Sequence, residues 1–172
     1  MNWGNDVLMG LLPLEFPAPP IPNFVLVPGN FYVKKEGAIK RACSLVASKG
    51  IINIGSGWSV SPMSKEICQL PQVLVNVDCV NEGPKIYVAN LENAYLPYDD
   101  KTFDVSFASH VLEHINNWQA ALKEWIRISD HTILVLPNPM SMGQVMHKDH
   151  KRYVSYEWIN EVSQFPSVEV FY

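Results

Sequence analysis

Short apolar runs alternate with helical patterns from about Gly37 onward, and this alternation constrains the fold more than any other feature of the chain. The runs are rich in β-branched residues and only four to six residues long, which favours strands over helices. Strands that alternate with helices form a parallel sheet covered on both faces. The sequence therefore predicts an α/β fold with a doubly wound, mostly parallel, Rossmann-like sheet.

The bounds of the predicted elements follow from the apolar spacing and from glycine, proline and capping signals. Helices are predicted at 38–48, 62–70, 112–128 and 156–164. Strands are predicted at 51–54, 73–77, 85–89, 103–108, 132–136 and 168–172. Ser61 is the expected N-cap of the second helix, because its hydroxyl can accept from an N–H of the first turn.

Residues 1–33 differ in composition from the rest of the chain. Six of the 13 prolines lie between Pro13 and Pro28, and the only charged residues are Asp6 and Glu15. Proline fixes φ and restrains the preceding residue, which favours an extended segment. The segment is too apolar for a solvated linker, so we expect an arm that packs over its own domain or docks on a partner chain. Residues 34–172 are predicted to form one domain.

The charge balance and the cysteines limit the class of protein. Thirteen basic and 17 acidic side chains give a net charge of −4, which argues against general nucleic-acid binding. The three cysteines share no ligand-like spacing and are expected to be reduced. No apolar run reaches the roughly 18 residues that a membrane span needs. Since no Lys or Arg precedes Lys34, the positive region of a signal peptide is missing, and a cytoplasmic protein without membrane contact is predicted.

A glycine turn, Gly55-Ser56-Gly57, lies directly between a predicted strand and a predicted helix. Glycines at this position let the backbone turn sharply and approach a ligand closely. Asp78 ends the next strand, where an acid can hold both hydroxyls of a ribose. No basic residue lies near the turn, so a ligand without phosphates fits better than a dinucleotide. A turn with a purely structural role is the alternative.

A longer passage resembles the class I S-adenosylmethionine-dependent methyltransferases, especially the small type 11 group. The chain reads LPYDDKTFDV at 96–105 and SHVLEHI at 109–115, and family members carry a very similar "LPF-x-D-x-SFDVV … S-x-VLEH" passage. HKRYVS at 150–155 is similar to the family segment H-x-R-x-(Y/F)-(S/T). The resemblance extends from about Ile51 to Ser155.

The resemblance implies S-adenosylmethionine as cofactor, bound at the carboxyl ends of the strands. The implied cofactor-binding residues are Asn53, Gly55, Ser56, Gly57, Asp78, Asn90, Leu91, Ser109 and His110. The glycine turn would line the methionine part, Asp78 would take the ribose hydroxyls, and Asn90 would meet the adenine amino group. Ser109 and His110 would lie beside the sulfonium.

Three positions depart from the family pattern. Asn53 and Asn90 stand where the family usually has acids, and Ser59 stands where it has a third glycine. Asparagine still accepts a hydrogen bond, so binding can survive the loss of charge. The departures nevertheless motivate an alternative function, a methyltransferase-fold subunit with an eroded site that acts in structure or partner binding.

Two histidine groups are candidates for acid–base chemistry. His110, Glu113 and His114 spell H-x-x-E-H, a signature of inverted zinc peptidases. Because His110 is expected at a strand end, and no third ligand follows at a helical position, no metal site is predicted, and His114 is interpreted as mainly structural. His147 and His150 lie near the sheet's carboxyl edge, where an imidazole can deprotonate an acceptor.

The catalytic candidates are therefore His110, His147 and His150, with an incidental solvated loop as the alternative for the last two. The predicted reaction is methyl transfer to an oxygen or nitrogen of a small-molecule or glycan-like acceptor. A nicotinamide-dependent oxidoreductase would need a fuller G-x-G-x-x-G and a longer following helix, and neither is present.

The length of the chain also suggests a partner. The family sheet has seven strands, whereas six are predicted here, so we expect a sheet shortened at its C-terminal end. A shortened sheet leaves an edge and an apolar face that need cover. The N-terminal arm or another chain is expected to supply it, which predicts a homo-oligomer or a complex with a partner chain.

Overall fold

Six strands form one sheet in the computed structural model, which describes residues 31–93, 95–141 and 147–172. The strands are β1 (Ile51–Ile54), β2 (Val73–Asp78), β3 (Ile86–Val88), β4 (Phe103–Ser109), β5 (Ser129–Val135) and β6 (Val168–Phe171). Their order is β3-β2-β1-β4-β5-β6, and every neighbouring pair is parallel. The predicted α/β class and parallel sheet are confirmed.

Four helices in the described part of the chain cover both faces of this sheet. They are α1 (Phe31–Ser44), α2 (Pro62–Gln69), α3 (Trp118–Ile128) and α4 (Tyr156–Ser163). Successive strand residues point to opposite faces. Ile51 accordingly packs with residues of α1 and α2, whereas Ile52 and Ile54 pack with residues of α3 and α4. The sheet is thus doubly wound, with a hydrophobic core on each side.

Asp104, near the start of β4, connects the loop after α1 to the sheet. Its Oδ2 accepts hydrogen bonds from the backbone N–H groups of four successive residues, Ala47 to Gly50, at 2.7–3.0 Å. Burial tends to raise the pKa of this carboxyl, but the four donors outweigh it and hold the pKa below its ordinary value. Because these N–H groups are directed at Asp104, α1 ends at Ser44 rather than at the predicted residue 48.

Arg127, near the end of α3, anchors the loop that precedes β4. Its guanidinium donates to both oxygens of Glu124 at 2.7 and 2.8 Å, to Asp100 at 2.7 Å and to the carbonyl of Tyr98 at 2.8 Å. Glu124 also accepts from the N–H of Leu96 at 2.8 Å. Much of the LPYDD passage therefore has a structural role at the amino edge of the sheet.

The predicted helix 112–128 is wrong in its first part. Leu112–His114 forms a short 3-10 turn, and α3 begins only at Trp118. Between them, the backbone N–H of Asn116 donates to the Glu92 carboxylate at 3.1 Å, and the Asn116 side chain donates to it at 2.9 Å. These bonds take Asn116 away from helical pairing and separate the turn from the helix.

The first helix also begins at Phe31 rather than at the predicted residue 38, and the remaining elements agree with the prediction to within a few residues. Ser61 caps α2, since its hydroxyl accepts from the N–H of Ser64 at 3.1 Å. Residues 1–30 lie outside the described residues, so the N-terminal arm stays a prediction. Residues 31–33, assigned to that arm, are instead helical because α1 begins at Phe31. Among the described residues, no helix is long and apolar enough to cross a membrane.

Candidate functional site

A cleft of about 290 Å³ opens at the carboxyl edge of the sheet. Its position follows from the topology, because the strand order reverses between β1 and β4 and open α/β sheets bind ligands at that point. Six of the predicted cofactor-binding residues line this cleft: Gly55, Gly57, Asp78, Asn90, Leu91 and His110. The volume is at the lower end of the roughly 300–1,000 Å³ usual for small-molecule pockets.

The glycine turn has the backbone that only glycine adopts easily. Gly55 and Gly57 have φ values of +65° and +55°, in the left-handed region. A Cβ on Gly55 would collide with the side chain of Val111, whereas a Cβ on Gly57 would meet Val60 at an ordinary 3.4 Å. The close approach at Gly55 therefore comes from the segment after β4, which forms the opposite wall of the cleft.

Comparison of the two glycine positions gives a prediction for stability. Gly57→Ala is expected to lower the free energy of unfolding by about 1–2 kcal/mol, because only the left-handed backbone opposes it. Gly55→Ala adds the collision with Val111 and is expected to lower it by about 3 kcal/mol. Urea denaturation measures both values. Equal losses for the two variants would contradict the close contact between Gly55 and Val111.

Asp78 is fixed by the turn that it faces. Its Oδ2 accepts from the hydroxyl of Ser56 at 3.0 Å and from the N–H of Gly57 at 2.8 Å. Its Oδ1 accepts from the N–H of Cys79 at 2.7 Å. A carboxylate oxygen has room for further donors. Asp78 is therefore held in one orientation at the cleft while both oxygens can still accept from a ligand.

Asn53 lies outside the cleft, within a buried amide network on the α2 side of the sheet. Its Nδ2 donates to Oδ1 of Asn76 at 2.8 Å, and the Asn76 amide donates to the carbonyls of Cys68 at 3.1 Å and Pro84 at 2.8 Å. Asn53 and Asn76 are 3% and 1% exposed. The network fixes the residues just before the glycine turn. Asn53 does not line the cleft and acts on it by holding the turn in place.

Ser56 and Ser109 are not among the described residues that line the cleft. Ser56 is buried, and its N–H donates to the carbonyl of Val77 at 3.0 Å. The Ser109 hydroxyl oxygen is buried, with no hydrogen-bond partner among the described residues. The Ser109 hydroxyl, at the carboxyl end of β4, therefore needs a partner that the described residues do not supply, such as a water molecule.

Asn90 is exposed at the end of β3, on the rim of the cleft. Its Oδ1 accepts from the N–H of Glu92 at 3.0 Å, which starts the 3-10 turn Leu91–Asn93. Glu92 and Asp78 carry the formal charges among the described lining residues, and both are negative; none of these described residues is Lys or Arg. This charge distribution favours a cationic ligand over a phosphate-bearing one.

His110 has an unusual backbone at the end of β4. Its φ is +57°, uncommon for any residue except glycine, and its N–H donates to the carbonyl of Val135 at 2.9 Å. Its Nδ1 lies 3.3 Å from Oε1 of Glu113, whose side chain is fully buried. The left-handed turn directs His110 into the cleft wall rather than into a helix, as predicted from its position after the strand.

His114, His147 and His150 form a cluster that the sequence analysis did not foresee. The ring centroids are 5.4 Å apart for His114 and His147, 4.7 Å for His114 and His150, and 4.5 Å for His147 and His150. Burial lowers the pKa of His150, while the nearby carboxylate of Glu113 acts in the opposite direction. Of the three, His114 lines the cleft.

The sequence contained part of the information needed to predict this histidine cluster. Glu113 and His114 come from the H-x-x-E-H passage, and His147 and His150 are spaced three apart, but no local pattern joins residues more than 30 positions apart. The sequence analysis looked for a third ligand on a helix and found none, whereas the structure brings His147 and His150 to His114 from the loop before α4.

Comparison with known proteins gives the class of this domain. Residues 54–131 match the family model Methyltransf_11, described as a methyltransferase domain. No curated protein sequence matches the chain significantly.

Several solved structures share the fold. A SAM-dependent methyltransferase from Thermotoga maritima, described as a possible histamine N-methyltransferase, is 17% identical with a TM-score of 0.56; the match covers 78% of this chain and 72% of that one. One from Archaeoglobus fulgidus is 19% identical with a TM-score of 0.59, over 76% of this chain and 65% of that one. A Haloferax volcanii protein, described as a methyltransferase in complex with the Trm112 methyltransferase activator, is 14% identical with a TM-score of 0.55. The match covers 77% of this chain and 66% of that one.

At these identities the likeness concerns the fold, and the chain spans about two thirds of the length of the last two structures. The family match, over 78 of the 172 residues, and the shared fold support a class I methyltransferase domain, in agreement with the family that the sequence resembles. The cofactor that the family and these neighbours imply is S-adenosylmethionine.

Proposed function

We propose that this chain transfers the methyl group of S-adenosylmethionine to an oxygen or nitrogen of a small-molecule or glycan-like acceptor. The observation that carries the proposal is the convergence of the Gly55–Gly57 turn, Asp78 and His110 on one cleft where the strand order reverses. S-adenosylmethionine supplies the electrophilic methyl carbon itself, so the protein mainly has to bind, orient and exclude water.

The described residues fit this cofactor chemically. The Asp78 carboxylate, held by Ser56 and Gly57, can accept from two neighbouring hydroxyls, and both glycines of the turn line the cleft. The negative lining from Asp78 and Glu92 complements a sulfonium and an ammonium group. The buried Ser109 hydroxyl lies at the end of β4, next to His110.

The acid–base step belongs to the histidines in this proposal. His110 lines the cleft beside buried Glu113, and His147 and His150 contact His114 at the same wall. A neutral imidazole in this position accepts the proton of an acceptor hydroxyl or amine as the methyl group is transferred. The Thermotoga neighbour, described as a possible histamine N-methyltransferase, is consistent with an amine acceptor.

Calorimetry and label transfer test the proposal together. The full chain is titrated with S-adenosylmethionine and then incubated with methyl-labelled cofactor and separate pools of hydroxyl and amine acceptors. We expect saturable binding and label transfer to one pool. An absence of binding heat, together with a stable assembly in light scattering, would overturn the proposal in favour of the structural subunit. The same light-scattering measurement tests the expected homo-oligomer.

A further inference from the structure

Three histidine side chains meet beside the cleft, and we infer that His114, His147 and His150 bind a divalent transition-metal ion. One potential ligand atom of each lies within 4.8 Å of those of the other two. Three imidazoles and an open fourth position are a ligand set that zinc uses in proteins. Zinc–nitrogen bonds of about 2.0–2.1 Å place tetrahedral ligand atoms about 3.3 Å apart. His147 and His150 are stacked with an interplanar angle of 15°, so binding requires rotation of these rings to direct their nitrogen atoms at one ion.

The hydrogen bonds of the rings suit metal ligation. Nδ1 of His114 lies 3.2 Å from the carbonyl oxygen of Asp149. Because a carbonyl only accepts, Nδ1 carries the proton and Nε2 keeps its lone pair. A ring N–H bound to a backbone carbonyl is the usual way in which a protein orients a metal-binding histidine. Nδ1 of His150 is buried, with no hydrogen-bond partner among the described residues.

The backbone holds the two halves of the cluster together. The carbonyl of Glu113 accepts from the N–H groups of Lys151 at 2.9 Å and Arg152 at 3.2 Å. These bonds fix the residue before His114 against the two residues after His150. The ligands are therefore positioned by main-chain contacts, which limits the entropy lost when an ion binds.

Glu113 supplies an independent reason for a positive charge at this place. Its side chain is fully buried, and neither carboxylate oxygen has a hydrogen-bond donor among the described residues. Nδ1 of His110, a side chain that can carry a positive charge, lies 3.3 Å from Oε1 of Glu113. A buried carboxylate without donors is unfavourable. A divalent ion on the adjacent histidines compensates this charge without displacing any other bond.

The ion would lie at the wall of the cleft, because His114 also lines the cleft. Its open coordination position can then take the oxygen of an acceptor hydroxyl, one of the two acceptor types in the proposed function. This role rests on the proposed function and leaves His110 as its base, since His147 and His150 then bind the ion. Metal binding itself does not depend on the proposed function.

Zinc competition on the full, untagged chain tests the inference. After treatment with EDTA and its removal, the protein is titrated with Zn²⁺ against a chromogenic chelator, and Co²⁺ is used to record visible absorption. We expect one ion per chain and the intense bands of tetrahedral Co²⁺. His147→Ala and His150→Gln should each weaken zinc binding at least about 100-fold, the upper limit for loss of an outer-shell partner, and Glu113→Gln about 10-fold.

His131→Ala is the matched control, because His131 lies near the start of β5, at the opposite edge of the sheet. It should bind zinc like the unchanged chain, and circular dichroism checks that every variant is folded. Failure of the unchanged chain to bind one ion, or unweakened binding by His147→Ala, would overturn the metal site. Calorimetry with S-adenosylmethionine in EDTA keeps the two proposals apart, since cofactor binding and metal binding are then measured separately.

Discussion

Asp78→Ala is expected to weaken S-adenosylmethionine binding at least about 100-fold. Hydrogen bonds to a charged group contribute about 1.5–3 kcal/mol each, and the proposed role of Asp78 is to accept two from a ribose. The variant also leaves the N–H of Gly57 and the hydroxyl of Ser56 without their acceptor, so the turn loses its fixed orientation. Calorimetry with the full chain measures the change in Kd.

Two further variants make the Asp78 experiment specific. Asp99→Ala removes an exposed carboxylate at the opposite edge of the sheet and should leave the Kd unchanged. Asp78→Asn keeps an acceptor of the same shape and should bind more weakly than the unchanged chain but more tightly than Asp78→Ala. Binding by Asp78→Ala within a few-fold of the unchanged chain would remove Asp78 from the cofactor site.

Asp104→Ala is expected to lower the free energy of unfolding by about 3 kcal/mol. The change leaves four neighbouring N–H donors without their acceptor, and each buried unsatisfied group costs about 1–3 kcal/mol unless water reaches it. Since residues 47–50 lead directly into β1, their disorder would also loosen a central strand. Urea denaturation measures the loss.

The stabilisation by Asp104 should depend on pH. Its pKa in the folded chain is lowered, so its contribution is complete above the unfolded aspartate pKa of about 3.9 and disappears as pH falls through the folded value. The stability difference between the unchanged chain and Asp104→Ala should therefore be constant near neutral pH and shrink in acid below about pH 4.

Asp130→Ala is the control for this experiment. Asp130 pairs with Lys49 at 2.9 Å on the surface of the same loop, with both side chains about 40% exposed. Exposed ion pairs contribute about 0–1 kcal/mol, so this variant should stay close to the unchanged chain. If Asp130→Ala lowered the free energy of unfolding as much as Asp104→Ala, the loss would come from removing a negative charge rather than from the four N–H hydrogen bonds.

Local signals were sufficient to predict most of the fold. The β-branched runs, the Ser61 cap and the glycine turn each depend on neighbouring residues, and each lies where it was expected. The helix from 112 was misplaced at its start because a distant acid, Glu92, binds Asn116. Apolar spacing carries no information about such a contact.

Only the site residues that directly follow a strand could be placed from the sequence. Asp78 and His110 lie at the cleft because the carboxyl ends of parallel strands share one edge. The resemblance implied a cofactor role for Asn53, whereas in the structure its amide donates to Asn76 in a buried network on the α2 side of the sheet. The histidine cluster depends on a loop returning to β4, which follows from tertiary packing rather than from any pattern in the chain.

The parallel arrangement of the strands also places the stabilising polar contacts and the candidate site at opposite edges of the sheet. Asp104 and Arg127 stabilise the amino edge, whereas the cleft and the histidines occupy the carboxyl edge. Substitutions that reshape the cleft therefore leave the main polar anchors untouched. Substitutions in the loops after β3 and β4 should therefore change binding at the cleft without unfolding the domain, whereas substitutions at the opposite edge should reduce its stability.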